Sequence, residues 1–273
     1  MNLAYLLPRV ARHFLPENTV RFLLRRRLII RPGLETRIPQ DAVARYQEAL
    51  AAYGVSFSGR RVMIFGYGGS FGIGCALLRA GASHVVLCDK YARPDPEANR
   101  ALLAEYGDYL VVQGDQVLPR SEWMTLLPAD IREVAAQGSL APVDAVLSSS
   151  VYEHLDDVEG ITRALAALTA PEGFHLHYID LRDHFFKYPF EMLCYSSRVW
   201  YGWLNPTSNH NRYRLWNYQA AFESCFGQVD LAVLDRDEAA LQKTRSRIRP
   251  EFLSGDMQMD AVTRVRAFAA KPR

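Results

Sequence analysis

Cysteine is scarce in this chain. Cys75, Cys88, Cys194 and Cys225 are the four present, and no two are spaced as CxxC. That spacing offers neither a zinc site nor a disulfide framework, and it predicts free thiols in a reducing compartment. Cys75 and Cys88 fall within apolar helix and strand patterns, where cysteine serves as a small buried hydrophobe. Long apolar runs are missing as well, and none approaches the about 18–20 residues needed to cross a bilayer. The leading MNLAYLLPRVARHFLPENTV is broken by Pro8, Arg9, Arg12 and His13 and has no small-residue cleavage site. The expectation is a cytoplasmic protein without a signal peptide. Low-complexity linkers and internal repeats are absent too. What is there is an ordinary globular composition, 49% hydrophobic and 23% charged, enough for one large domain or two small ones.

The net charge of +2 is unevenly spread. Residues 1–31 hold seven arginines (Arg9, Arg12, Arg21, Arg25, Arg26, Arg27 and Arg31) and one acid, Glu17, which leaves the remainder at −4. Leu6, Leu7, Val10, Phe14 and Leu15 are interleaved with these cations. The pattern suits either a helix on an anionic membrane surface or a solvated helix along one edge of the fold. Nucleic acid is not an expected partner, because the basic patch is short and the rest of the chain repels phosphate.

From residue 41 the apolar periodicity becomes regular. Val43, Tyr46, Leu50 and Tyr53 recur at helical spacing after Asp41 and stop at Gly54. Arg61-Val-Met-Ile-Phe65 then reads as a buried strand. Further strands are expected at His84 to Cys88, Tyr109 to Gln113, Asp144 to Ser148 and Phe174 to Asp180. Helices are expected from Cys75 to Arg79, from Asp95-Pro96 through Leu103, over roughly 120–136, and from Asp156 to Leu168. Strands that alternate with helices, and that are apolar without interruption, indicate a parallel sheet covered on both faces. Val229 to Leu234 and Val262 to Ala269 read as two closing strands, antiparallel at the sheet edge.

Between the first strand and the following helix lies FGYGGSFGIG, residues 65–74, with five glycines. Glycine lets backbone approach a ligand closely, and this position lies over the carboxyl edge of a sheet. Asp89 ends the second strand, where a carboxylate accepts hydrogen bonds from ribose hydroxyls. Asp115, after the run Tyr109 to Gln113, is placed to meet an adenine amino group. An adenosine-bearing cofactor is therefore expected. One alternative is redox chemistry, since GGSFGIG also resembles the phosphate loop of NAD(P)-dependent short-chain dehydrogenases. Those need a Tyr-x-x-x-Lys pair, and none of the fourteen tyrosines here has a lysine four residues later; the chain has only four lysines.

The closer resemblance is to class I S-adenosylmethionine-dependent methyltransferases, over roughly residues 59–181. VMIFGYGGSFGIG resembles the family's first motif, HVVLCDKY carries its ribose-binding acid, and VDAVLSSSVYEHLDD resembles the fourth-strand motif with its Glu-His pair. Two departures are the missing acid at Ile64 and Ser70 in place of a third glycine. The resemblance implies a doubly wound, mostly parallel seven-stranded Rossmann-like sheet with an antiparallel C-terminal strand. Residues 1–58 would be a helical extension, 59–273 the cofactor-binding domain, and about 183–218 an aromatic-rich cap. It implies S-adenosylmethionine held by Gly66, Tyr67, Gly68 and Gly69 at its methionine end, by Asp89 at the ribose with Lys90 also binding the cofactor, by Asp115 and Gln116 at the adenine, and by Ser148 to Ser150 beneath the sulfonium.

The methyl acceptor implied is a small molecule or a glycan or cell-envelope precursor, methylated at oxygen, with nitrogen or carbon less expected. A non-catalytic scaffold of the same fold at the membrane surface is the remaining alternative. His154 and His184, each following a sheet strand, are the candidate catalytic bases, with Asp180 or Asp183 to orient an imidazole. His175 and His177 share one strand face and are read as structural, so no metal site is expected. Residues 185–218 contain eleven aromatics among Asn205, Asn209, His210, Asn211, Arg212 and Arg214. That mixture suits stacking on a sugar ring or a small core within the insertion.

Overall fold

The structure, a computed structural model, describes residues 2–14, 38–184, 187–205 and 210–273. The arginines from Arg21 to Arg31, and Phe185, Phe186 and Asn209 of the aromatic segment, lie outside the described residues.

Seven strands form one sheet: β1 (Arg61–Phe65), β2 (His84–Cys88), β5 (Met124–Leu127), β6 (Val143–Ser149), β7 (Thr169–Asp180), β8 (Phe226–Arg236) and β9 (Val262–Pro272). Their order is β5-β2-β1-β6-β7-β9-β8. The pairs from β5 to β7 are parallel, and β9 runs antiparallel to both β7 and β8. The doubly wound sheet with an antiparallel C-terminal strand is as the sequence pattern predicts.

Alternation along the strands assigns the two faces. Val62, Ile64, Val85, Leu87, Ala145 and Leu147 point to one side, where they pack with the helices Pro39–Ala51 and Gly72–Arg79. Met63, Phe65, Val86, Cys88 and Val146 point to the other, toward Ile131–Gln137, Val158–Ala167 and Leu215–Glu223. Both faces are covered, so neither half of the alternation is polar, which is why the strands read as unbroken apolar runs. The helix Pro39–Ala51, within the expected extension, is one of these covering helices, burying Ala42, Val43, Tyr46 and Leu50.

One strand differs from expectation. Tyr109 to Gln113 does not join the sheet: β3 (Leu110–Gln113) pairs antiparallel with β4 (Gln116–Pro119) in a separate hairpin. The strand beside β2 is Met124–Leu127, inside the segment expected to be helical. The physical reason is local. Gly114-Asp115 is a tight hairpin turn signal that lets Gln113 meet Gln116, and of β3 only Leu110 is buried, with Val112 and Gln113 exposed.

A third core cluster lies off the sheet. Phe190, Met192, Leu193, Trp200 and Leu204 of the cap pack with Leu241, Ile248, Ala261 and Tyr5. Tyr5 and Arg9 belong to α1 (Leu3–His13), which docks on the cap rather than on the sheet. The Tyr5 ring stacks on Tyr195, and the Arg9 guanidinium lies over the rings of Tyr5 and Trp200. The Tyr5 hydroxyl and the Arg9 guanidinium both donate to the buried Asp183 carboxylate.

Candidate functional site

The carboxyl ends of β1, β2, β5 and β6 surround a cavity of about 320 Å³, within the range of small-ligand sites. Its lining includes Phe65, Gly66 and Gly68 after β1, Asp89, Lys90 and Tyr91 after β2, Ala129, Asp130, Ile131 and Arg132 after β5, and Ser150, Val151 and His154 after β6.

The β1 turn is shaped by backbone that side chains would spoil. Gly66 has φ +86°, and a Cβ there would come within 2.3 Å of the Val151 side chain. Gly69 has φ +92°, and its Cβ would meet the Arg93 carbonyl oxygen at 2.5 Å. The Gly69 carbonyl accepts hydrogen bonds from the Asp95 amide (2.9 Å) and the Asn99 side chain (3.0 Å). Gly69 therefore anchors the chain returning from β2 and is not part of the cavity lining. The opposite wall has its own conformational cost: Ser150 sits at φ +57°, a left-handed conformation unfavourable to a non-glycine residue.

Asp89 is held by backbone alone. Its Oδ1 accepts from the amides of Tyr91 (2.9 Å) and Ala92 (2.8 Å), and its Oδ2 accepts from Gly68 (3.2 Å). The carboxylate is thus fixed across the glycine turn with acceptor capacity left on Oδ2. Lys90 is engaged with protein: its ammonium bonds Asp130 Oδ2 at 3.0 Å. Arg132 grips the same carboxylate and reaches Asp157, which caps the helix Val158–Ala167. Hydrogen bonds from Arg132, then from its own backbone amide and Lys90, hold the Asp130 carboxyl well below the usual carboxylate range.

Of the residues expected to hold the cofactor, Gly66, Gly68, Asp89, Lys90 and Ser150 meet at this cavity, together with His154. The others do not line it. Tyr67 is buried, stacks on Phe71, and has its hydroxyl pushed up to about 12, chiefly by burial. Ser148 is buried within β6, where its hydroxyl lies 2.8 Å from His177 Nδ1. That ring leads on to His175 and Thr169, a closed polar chain inside the core. Ser149 precedes the lining and Ser150 enters it. Asp115 and Gln116 are on the β3–β4 hairpin, where the Asp115 carbonyl accepts from Arg100. The cavity lining beyond β2 comes instead from the loop after β5, Ala129 to Arg132. The missed signal was Met-Thr-Leu-Leu followed by Pro-Ala-Asp, a short apolar run stopped by an acid, as in the second strand.

His154 ends the turn Tyr152–His154, with Glu153 beside it. The His154 ring centroid is 4.7 Å from that of His184 and 5.6 Å from that of His210; His184 and His210 are 4.9 Å apart. His210 arrives from the cap because Asn211 is clamped to the turn. The Asn211 amide donates to the Glu153 carbonyl, and its side chain donates to those of Tyr152 and Leu155. Burial, with the neighbouring His210 and His154, pushes the His184 imidazole down to about 3. That makes it a weak proton acceptor near neutral pH, and His184 does not line the cavity. The acids expected to orient an imidazole have cationic partners: Asp180 pairs with Arg182, and Asp183 with Arg9 and Tyr5.

The cap's donors are also spent inward. Arg212 donates to the carbonyls of Tyr195 and Met192 and to the Ser197 hydroxyl. Arg214, fully buried, donates to the carbonyls of Asp260 and Val262. The aromatic-amide mixture builds a core of its own, and of the expected sugar-stacking rings only Tyr201 and Trp203 are largely exposed among the described residues.

No protein-family model matches the chain, and no curated protein matches it. Solved structures do. A proposed sarcosine dimethylglycine methyltransferase from Galdieria sulphuraria is 15% identical over 84% of this chain and 86% of that one, with a TM-score of 0.50. The magnesium protoporphyrin IX methyltransferase of Synechocystis PCC 6803, solved with S-adenosylhomocysteine bound, is 14% identical over 93% and 95%, with a TM-score of 0.49. At such identities the fold is what is shared. The sheet order and the Galdieria overlap together show that the chain has the fold of the class I S-adenosylmethionine-dependent methyltransferases.

Proposed function

We propose that the protein transfers the methyl group of S-adenosylmethionine to an oxygen of a small-molecule acceptor. The observation that carries this reading is Asp89: a carboxylate at the end of β2, locked by three backbone amides, facing a cavity roofed by the Gly66–Gly68 turn. The residues present fit the cofactor. Asp89 has spare acceptor capacity for ribose hydroxyls, Ala129 to Ile131 offer the adenine end, and Gly66, Gly68 and Ser150 offer the methionine end. The sulfonium supplies a methyl group that is already activated. The chain's task is then to align the acceptor, exclude water and handle a proton. His154 is the titratable imidazole on the cavity wall and receives the acceptor hydroxyl in this reading, with His184 behind it.

Calorimetry tests the reading. S-adenosylhomocysteine is expected to bind with micromolar affinity and NADP⁺ not to bind. The reverse result supports the oxidoreductase alternative, and binding of neither supports a scaffold. Mass spectrometry of acceptor pools incubated with labelled cofactor then identifies the acceptor, including any glycan.

A membrane-peripheral site of action on the cytoplasmic side is a second reading, favoured by one observation. The solvent face of α1 exposes Leu7 (66%) and Phe14 (71%), and His13 stacks on the half-exposed Trp203 of the cap. An apolar strip next in sequence to the arginine-rich segment suits an anionic bilayer surface. No helix among the described residues is long and apolar enough to cross a membrane. The organisation that goes with both readings is residues 59–273 as the catalytic unit, 183–218 as its cap and 1–58 as an extension covering them.

A further inference from the structure

Four side chains converge behind the cavity wall. Glu153, His154 and His184 each offer a ligating atom, and these atoms all lie within 4.8 Å of one another. The His210 ring packs against both histidines. We propose that Glu153, His154, His184 and His210 form a binding site for one divalent transition-metal ion, zinc foremost.

Two orphaned groups point to a cation. Glu153 is fully buried, and neither of its carboxylate oxygens makes a hydrogen bond among the described residues. A buried carboxylate without donors is costly unless it is neutralised or paired. The second orphan is His210, also buried. Its Nδ1 lies 2.5 Å from the Asn211 carbonyl oxygen. A carbonyl only accepts, so Nδ1 carries the proton and Nε2 holds a lone pair. That Nε2 is buried and has no hydrogen-bond partner among the described residues. An imidazole oriented by a carbonyl at one nitrogen, with the other left without a partner, is the usual posture of a metal ligand.

The donor set selects the ion. Three imidazoles and one carboxylate favour a borderline transition metal over magnesium or calcium, which prefer all-oxygen sites. Ligand atoms about 2.0–2.1 Å from a tetrahedral zinc stand about 3.3 Å from one another, so Glu153, His154 and His184, now within 4.8 Å, close in on the ion when it binds. The nearby cations compete little: Arg182 is paired with Asp180 and Arg9 with Asp183. The ion's role rests on the methyl-transfer reading. His154 lines the cavity, so an ion bound there would hold an acceptor oxygen and ease loss of its proton to solvent.

Chelator-treated full-length protein titrated with zinc chloride in a calorimeter tests the site. One ion per chain is expected, with cobalt(II) giving visible ligand-field bands that zinc abolishes. Glu153→Gln and His210→Ala should each weaken zinc binding about 100-fold or more, whereas His84→Ala, on the far side of β2, should not. His154→Ala, at the cavity wall, gives the same reading should a core variant fail to fold, as checked by circular dichroism of the metal-free proteins. Absence of a stoichiometric ion overturns the proposal, as does unchanged affinity in the folded cluster variants. S-adenosylhomocysteine titrated into the same samples keeps the two readings apart. Zinc binding without it removes only the methyl-transfer role, and its binding without zinc removes only the metal site.

Discussion

Asp89 and Gly66 carry different kinds of constraint at the same cavity. Asp89→Asn keeps an acceptor for the Tyr91 and Ala92 amides but replaces the oxygen facing the cavity with a donor. Losing two charge-assisted hydrogen bonds to ribose should weaken S-adenosylhomocysteine binding about 100-fold with little change in stability; unchanged affinity in calorimetry removes the ribose assignment. Gly66→Ala acts on the fold instead. The residue must hold φ +86° while its Cβ meets Val151, so a loss of about 2–3 kcal/mol is expected in urea unfolding. Asp89 was legible in the sequence because an acid ending a short apolar run is a local signal. His210 was not, because only the Asn211 clamp brings the cap to the His154 turn.

Among the elements, the end of β2 and two helix starts are tied by Lys90, Asp130, Arg132 and Asp157. The carboxyls of Asp130 and Asp157 both titrate lower in the folded chain than in the unfolded one, through hydrogen bonds from Arg132 to the first and from the Gly160 amide, then Arg132, to the second. Their contribution is therefore fully present above about pH 4 and is lost as pH falls through the folded values. Asp130→Asn should make the urea midpoint less sensitive to acid between neutral pH and about pH 3. At the cap, Arg9→Ala leaves the buried Asp183 with Tyr5 but without the Arg9 guanidinium. A loss of about 3 kcal/mol and faster proteolytic nicking of residues 183–218 are expected. The β3–β4 hairpin shows why one element was misread. Tyr109 to Gln113, after a helix, and Met124 to Leu127, after the hairpin's second strand, are both short apolar runs. The Gly114-Asp115 turn folds the first back on Gln116 to Pro119 and leaves the second to join β2.

For the whole molecule, the open question is where it works. If α1 and the exposed rings of the cap meet a bilayer, the protein should pellet with anionic vesicles at low salt and not with neutral ones. Replacing Leu7 and Phe14 with Asp should abolish pelleting, since neither side chain is part of the buried core. Pelleting of that variant at the wild-type level assigns the binding to charge alone. Periodicity by itself determined the layered architecture: uninterrupted apolar strands demand helices on both faces, and a glycine-rich first turn followed by a strand-end acid demands a cavity at the carboxyl edge. Tertiary structure alone decided which loop completes that cavity, that the arginines of the cap are spent on backbone carbonyls, and that Glu153 and His154 meet His184 and His210 from other segments. The reason is physical. Turn chemistry and hydrophobic period act over a few residues and are written in order, whereas burial and charge pairing are settled between segments that meet only after the chain has folded.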